Sequence, residues 1–151
     1  MADRRVFILN GPNLNLLGKR EPAVYGTATL ADIEAALRAG APAGVVLECR
    51  QTNGEGVLVD WVQEAGAAAD ALIVNPGAYA HTSIALRDAV AAIDPPCVEV
   101  HLSNVHARES FRRRSYLAGV AAGVVCGFGA AGYRLALDGV LGLLDNGTSR
   151  L

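Results

Sequence analysis

The chain has 151 residues, 52% of them hydrophobic and 19% charged, with a formal net charge of −2. That is enough apolar content for a single domain to bury its own core, and too much for a disordered chain. The slightly acidic balance excludes a general nucleic-acid binder, because a phosphate backbone selects a strongly basic face.

Met1-Ala2-Asp3-Arg4-Arg5 leads straight into VFIL at 6–9, a run too short for a signal-peptide core, which reads as the first strand. A long polar connection, 11–28, precedes a helix over 30–39. Leu30, Ile33, Ala36 and Leu37 share one face of that helix, and Thr29 with Asp32 forms a capping box at its start. VVL at 45–47 is the second strand. A helix over 56–69 follows, with Leu58, Trp61, Val62 and Ala65 on its stripe. ALIV at 71–74 is the third strand, and the helix after it, 82–93, carries Ile84, Ala85, Ala89 and Ala92 and stops before Pro95-Pro96. CVEV at 97–100, a helix over 108–117, GVVC at 123–126 and a helix over 132–144 complete the order. All five short runs are apolar on both faces, as strands buried in a parallel sheet are. The uncharged stretch 115–133 is nominally long enough to span a bilayer. Five of its residues are glycine and arginines crowd its N-terminal flank, so it reads as a helix end, a buried strand and a turn, with no membrane association.

This alternation predicts one α/β domain over 1–151, a three-layer sandwich with a five-stranded parallel sheet in the middle, since each parallel crossover needs a helix-length return. The expected strand order is the flavodoxin-like 2-1-3-4-5. In that order a ligand binds beyond the carboxyl ends of strands 1 and 3, where the winding reverses.

Polar side chains collect at that rim. The first strand ends in Asn10-Gly11-Pro12-Asn13, the third in Asn75-Pro76-Gly77 followed by Tyr79 and His81, and the fourth in His101-Leu102-Ser103-Asn104. Each alone is ordinary turn chemistry; three on one edge indicate a functional site. The connection 11–28 is long enough to be a lid, with Gly18 and Gly26 as hinges around Lys19, Arg20, Glu21, Pro22 and Tyr25. A tyrosine beside cations can serve as a base, because a close arginine favours phenolate. Glu99 and His101 are two apart on a strand and share a face, so the carboxylate can orient the imidazole and keep it protonated for use as an acid. Arg108 and Arg112, one turn apart on the expected helix, face the same way and suit an anionic small molecule, with Arg113 and Arg114 extending the run.

Other chemistries lack their key residues. Gly127-Phe128-Gly129-Ala130-Ala131-Gly132 matches G-x-G-x-x-G, but only 19 residues follow and they read as a helix, without the strand and acidic residue that dinucleotide binding needs. Close packing of the last strand and helix explains those glycines better. Cys49, Cys97 and Cys126 are odd in number and form no C-x-x-C pair, which argues against a disulfide framework or cysteine zinc site and for a reducing cytoplasm. His81, His101 and His106 lack paired metal spacing, and there is no G-x-S-x-G, H-E-x-x-H or P-loop lysine. The one lysine, Lys19, lies in the proposed lid, a poor place for Schiff-base chemistry. Acid–base chemistry on a polar anion remains.

The segments NGPNLNLLGKREPAVYG (10–26), QTNGEG (51–56), VDWVQEA (59–65), NPGAYAHTSIALRDA (75–89) and EVHLSNVHARESFRRRSY (99–116) closely resemble type II 3-dehydroquinate dehydratase, nearly end to end. The resemblance implies a flavodoxin-like dodecamer, a tetramer of trimers, that converts 3-dehydroquinate to 3-dehydroshikimate without metal or cofactor, in the shikimate pathway or in quinate breakdown. It implies an anti elimination through an enolate. By motif position, Tyr25 would remove the C2 proton with Arg20 promoting its phenolate, and His101, held by Glu99, would protonate the departing C1 hydroxyl. Asn13 would position a water that stabilises the enolate, and Arg108 would support the base region. Asn75, His81 and Arg112 would bind substrate hydroxyls, the backbone at Leu102 and Ser103 its carboxylate, and Asp88 would contribute across a subunit boundary. Ala118-Gly119 stand where Ser-Pro is common and Ala131 where glutamine is frequent, positions that bear on packing or interfaces.

Two rivals make different predictions. A non-catalytic anion-binding or regulatory module would bind the substrate without turnover, though binding alone does not call for Tyr25, Arg20 and His101 together. A nucleotide-binding flavodoxin relative would carry a chromophore or respond to FMN or NAD.

Overall fold

The computed structural model describes residues 3–147; the expected domain bounds at 1 and 151 lie outside them. Five parallel strands, β1 (Arg4–Asn10), β2 (Val45–Gln51), β3 (Ala71–Asn75), β4 (Cys97–His101) and β5 (Gly123–Cys126), form one sheet in the order β2-β1-β3-β4-β5. The long helices are α2 (Leu30–Gly40), α3 (Glu55–Ala68), α4 (Ile84–Ala92) and α5 (Ala131–Asp145), and a four-residue helix, α1 (Pro22–Tyr25), precedes them. Each long helix begins within two residues of its expected start. The Thr29–Asp32 capping box forms in both directions, with Asp32 N–H donating to Thr29 Oγ1 at 3.1 Å and Thr29 N–H to Asp32 Oδ2 at 3.0 Å.

Strand alternation divides the core in two. Val6, Ile8, Ala71, Ile73, Val98 and Val100 pack under α2 and α5, around Ile33, Leu37, Tyr133, Ala136, Leu137 and Val140. Phe7, Leu9, Leu72, Val74 and Cys97 pack under α3 and α4, around Leu58, Val62, Ala65, Leu86 and Val90. Burying such side chains stabilises the fold by about 1.5–3 kcal/mol each before chain entropy is counted.

Three expectations are corrected. Only β1, β3 and β4 are closed on both faces; β2 and β5 are the sheet edges, with Val46 43% and Val124 46% exposed, so the strand within 115–133 is not buried. No α-helix forms over 108–117. Single 3-10 turns at Val105–Ala107 and Ser110–Arg112 lie on either side of an extended Arg108. The four arginines supply no apolar stripe, Phe111 among them is exposed, and only Leu117 at the far end is buried, so the segment lacks the periodic apolar face that holds a helix on the core. The connection 11–28 is also more built than a free lid: it holds a 3-10 turn at Leu14–Leu16 and α1, and Leu14 and Leu17 are in the core. Among the described residues no helix is long and apolar enough to cross a membrane.

Candidate active site

The β1–β3 register sets Asn10 level with Asn75, so the chain leaves both strands at one height and a cleft opens beyond them. It encloses about 530 Å³ open to solvent, and Asn13, Arg20, Tyr25, Asn75, His81, His101, Leu102, Ser103, Arg108 and Arg112 all line it. Glu99 stands behind His101, out of the cleft. Asp88 lies exposed on α4, paired with Arg87 at 2.7 Å, and does not line the cleft of its own chain.

The imidazole side of the cleft is built on the sheet. Period-2 alternation turns Glu99 and His101 to the same face of β4, and His101 Nε2 lies 2.5 Å from Glu99 Oε2. Both are buried, at 6% and 1% exposure. A charge so far from water survives only when paired and hydrogen-bonded, and Ser115 Oγ–H supplies the carboxylate's other bond, 2.7 Å from Oε1 and 2.9 Å from Oε2. The His81 ring stacks beside His101, with centroids 6.2 Å apart. Its Nδ1 faces the Arg114 carbonyl at 2.7 Å; a carbonyl only accepts, so Nδ1 carries the proton and neutral His81 offers Nε2 as an acceptor. Burial foremost holds His81 below the ordinary histidine range.

The phenol side of the cleft is built on the connection. Tyr25 ends α1, between Gly18 (φ +88°) and Gly26 (φ +82°), left-handed positions that suit the proposed hinges. Arg108 Nη2 donates to Tyr25 Oη at 2.9 Å and Nη1 to Ser103 Oγ at 3.1 Å. The Arg20 guanidinium lies 4.9 Å from the Tyr25 ring centroid and that of Arg108 5.2 Å. Both arginines therefore set positive charge against the phenol, and Arg108, expected only to support the region, makes the direct bond. Arg112 reaches the cleft although the helix that was to place it is absent, and it pairs with Glu109.

The floor joins rim residues named from the sequence to three that were not, Gln51, Asn53 and Tyr133. Asn13 is left-handed (φ +68°), a conformation asparagine tolerates, and its N–H donates to Asn53 Oδ1 at 3.0 Å. Gln51 Nε2 donates to the same oxygen at 3.1 Å and Tyr79 Oη to the Asn53 carbonyl at 2.6 Å. Asn75 is fixed from below: its Nδ2 donates to Tyr133 Oη at 2.9 Å, Tyr133 Oη–H donates to Asn10 Oδ1 at 2.5 Å, and Gly77 N–H donates to Asn75 Oδ1 at 3.2 Å. Burial pushes the Tyr133 hydroxyl far above the usual phenol range, so it stays a donor. Tyr133, Asn53 and Ser115 reach their partners across 58, 40 and 16 residues, separations no spacing rule covers. Among the described residues no cluster of three or more His, Cys, Asp or Glu could hold a metal ion.

A doubly wound parallel sheet with an imidazole–carboxylate pair, a guanidinium-bound phenol and three arginines in one switch-point cleft defines an α/β protein equipped for acid–base chemistry on a small anion. The family model described as Dehydroquinase class II matches residues 4–141. The chain is 58% identical over 137 residues to the 3-dehydroquinate dehydratase of Chelativorans sp. (strain BNC1), covering 89% of this chain and 94% of that protein. With the 3-dehydroquinate dehydratase of Dinoroseobacter shibae it shares 60% identity over 136 residues, covering 89% and 91%. The crystal structure of type II dehydroquinase from Butyrivibrio crossotus superposes with a TM-score of 0.90 at 38% identity, over 92% of this chain and 98% of that one. The chain belongs to the class II dehydroquinase family.

Proposed function

We propose that the chain is a 3-dehydroquinate dehydratase, a cytoplasmic hydro-lyase that removes water from 3-dehydroquinate to give 3-dehydroshikimate, in the shikimate pathway or in quinate breakdown. One observation carries the reading: an arginine-bound phenol and a carboxylate-held imidazole share a cleft. Tyr25, as phenolate stabilised by Arg108 and Arg20, takes the C2 proton, and the electron pair left behind moves into the ketone to form an enolate. Asn13 holds a water against the enolate oxygen. The enolate then expels the C1 hydroxyl, His101 gives it a proton, and water leaves with the balance of atoms and charge closed. Asn75, His81 and Arg112 hold substrate hydroxyls, and the backbone of Leu102 and Ser103 takes the carboxylate. The scheme uses no metal or cofactor.

We assign the working form to a homododecamer, a tetramer of trimers, in which Asp88 reaches a neighbouring subunit's cleft. Its exposed position on α4, outside its own cleft, supports that role.

The product is a conjugated enone with its own ultraviolet absorbance. Purified protein is expected to generate that absorbance from 3-dehydroquinate, Tyr25→Phe to lose about 10²–10⁴ of the rate without change in thermal midpoint, and His101→Ala to lose as much with a lowered midpoint, because it leaves buried Glu99 unpaired. Substrate binding in calorimetry with no enone from the unaltered chain would instead make it a binding module.

A further inference from the structure

We propose that Ser115 is a positioning residue of the acid pair: its hydroxyl, committed as a donor, keeps Glu99 a two-oxygen acceptor and so keeps the proton on His101. Ser115 stands apart from the residues lining the cleft and acts only through Glu99. The hydrogen-bonding capacity of one oxygen, Ser115 Oγ, sets this role. A serine hydroxyl has one proton to give and two lone pairs to fill. At Ser115 the backbone N–H of Leu117 and that of Ala118 both donate to Oγ, each at 3.2 Å. The lone pairs are thereby occupied and the remaining proton must point away from them, towards Glu99 Oε1 and Oε2 at 2.7 and 2.9 Å.

Glu99 then meets a donor on each side. Ser115 Oγ–H serves Oε1 and His101 Nε2–H serves Oε2. A protonated carboxyl would have to turn a hydrogen towards one of these groups; Oγ has no lone pair left to accept it, so only the ionised form fits that side. On the Oε2 side the count alone leaves both positions of the proton open; it is the bond donated by Ser115 that favours the ionised carboxylate and so leaves the shared proton with the imidazole, whose Nδ1 is free of Glu99. The carboxylate is also fixed in rotation, because both oxygens are engaged and the side chain is 1% exposed. The segment that carries Ser115 is held in turn: Tyr116 N–H donates to the Ala80 carbonyl at 2.8 Å, and Leu117 is wholly buried. This accounts for the turn over 115–118 where a helix was expected, since an α-helix would send those N–H groups to the carbonyls four residues back.

The kinetic arm of the test rests on the dehydratase reading, and a spectroscopic arm stands without it. Ser115→Ala is expected to lower kcat about tenfold or more with KM within about twofold, because substrate contacts are untouched. Ser115→Thr keeps the hydroxyl and is expected to stay within about threefold of the unaltered kcat. In proton–nitrogen spectra the His101 Nε2–H resonance, protected in the unaltered chain and in Ser115→Thr, is expected to vanish into solvent exchange in Ser115→Ala. Three results would overturn the proposal: Ser115→Ala with a lower thermal midpoint but kcat and the ring resonance intact; a change confined to KM; or Ser115→Thr as impaired as Ser115→Ala. Should Ser115→Ala not fold, Ser115→Cys, of similar shape but a weak donor, takes its place under the same criteria. An unaltered chain without turnover would remove the dehydratase reading and leave the resonance to decide the role of Ser115.

Discussion

At the residue scale the cleft works by committing each polar atom to one role. His81 gives its Nδ1 proton to a carbonyl, Tyr133 remains a hydroxyl, and Arg108 spans Tyr25 and Ser103. Commitment of this kind has a cost that depends on pH. Burial lowers the affinity of His81 for a proton in the folded chain, so the unfolded chain takes one up first as pH falls. The stability tied to this residue is thus complete above the ordinary histidine range and declines as pH drops through it towards the lowered folded value. Replacing His81 by glutamine is expected to flatten the dependence of the denaturant midpoint on pH between about pH 7 and 5. An unchanged slope in the His81→Gln variant would show that other groups carry the acid sensitivity.

At the element scale the site depends on how closely β1 and β3 release the chain. Gly11 N–H donates to the Asn75 carbonyl at 2.8 Å, and a Cβ on Gly11 would lie 2.6 Å from the Pro76 carbonyl oxygen, a contact of a fixed Cβ with backbone that no rotamer can relieve. Gly11→Ala must push the two strand ends apart, and Asn13 and Asn75 move with them. It is expected to cost about 1–3 kcal/mol in denaturant unfolding and to lower turnover as well; full activity would show that the cleft tolerates the separation. The strands and long helices were legible because their apolar periods are regular and their caps local, as at Thr29–Asp32. The segment 108–117 reads as a helix because arginines four apart imitate a helix face, while the segment has no apolar stripe and its serine is bound to a glutamate on another element. The rim residues were legible through their places at strand ends. Their supports were not, because Asn10 with Tyr133 and Asn13 with Asn53 meet only once the sheet is assembled.

At the scale of the whole molecule, the two-sided core fixes one sheet and leaves certain surfaces uncovered. Phe111 and Phe128 are 61% and 63% exposed, and Ala118, Gly119 and Ala131, the positions that depart from the family pattern, are exposed as well. The proposed assembly requires a particle of twelve chains of 15.6 kDa, which light scattering measures directly. In such a particle Asp88→Ala is expected to raise KM with the mass unchanged. A single-chain mass with ordinary turnover would confine the cleft to one subunit and release Asp88 from any part in it.

His101, the proposed acid, is rooted in the parallel sheet, whereas Tyr25, the proposed base, rides on a short helix between two left-handed glycines, and next to the first of these stands exposed Lys19, the sole lysine in the sequence. A protease specific for lysine therefore has one place to cut, in the arm that carries Tyr25. β1 would remain zipped between β2 and β3 after the cut, so the nicked protein should keep its circular dichroism while its catalysis stops, with the severed arm rather than the scaffold at fault.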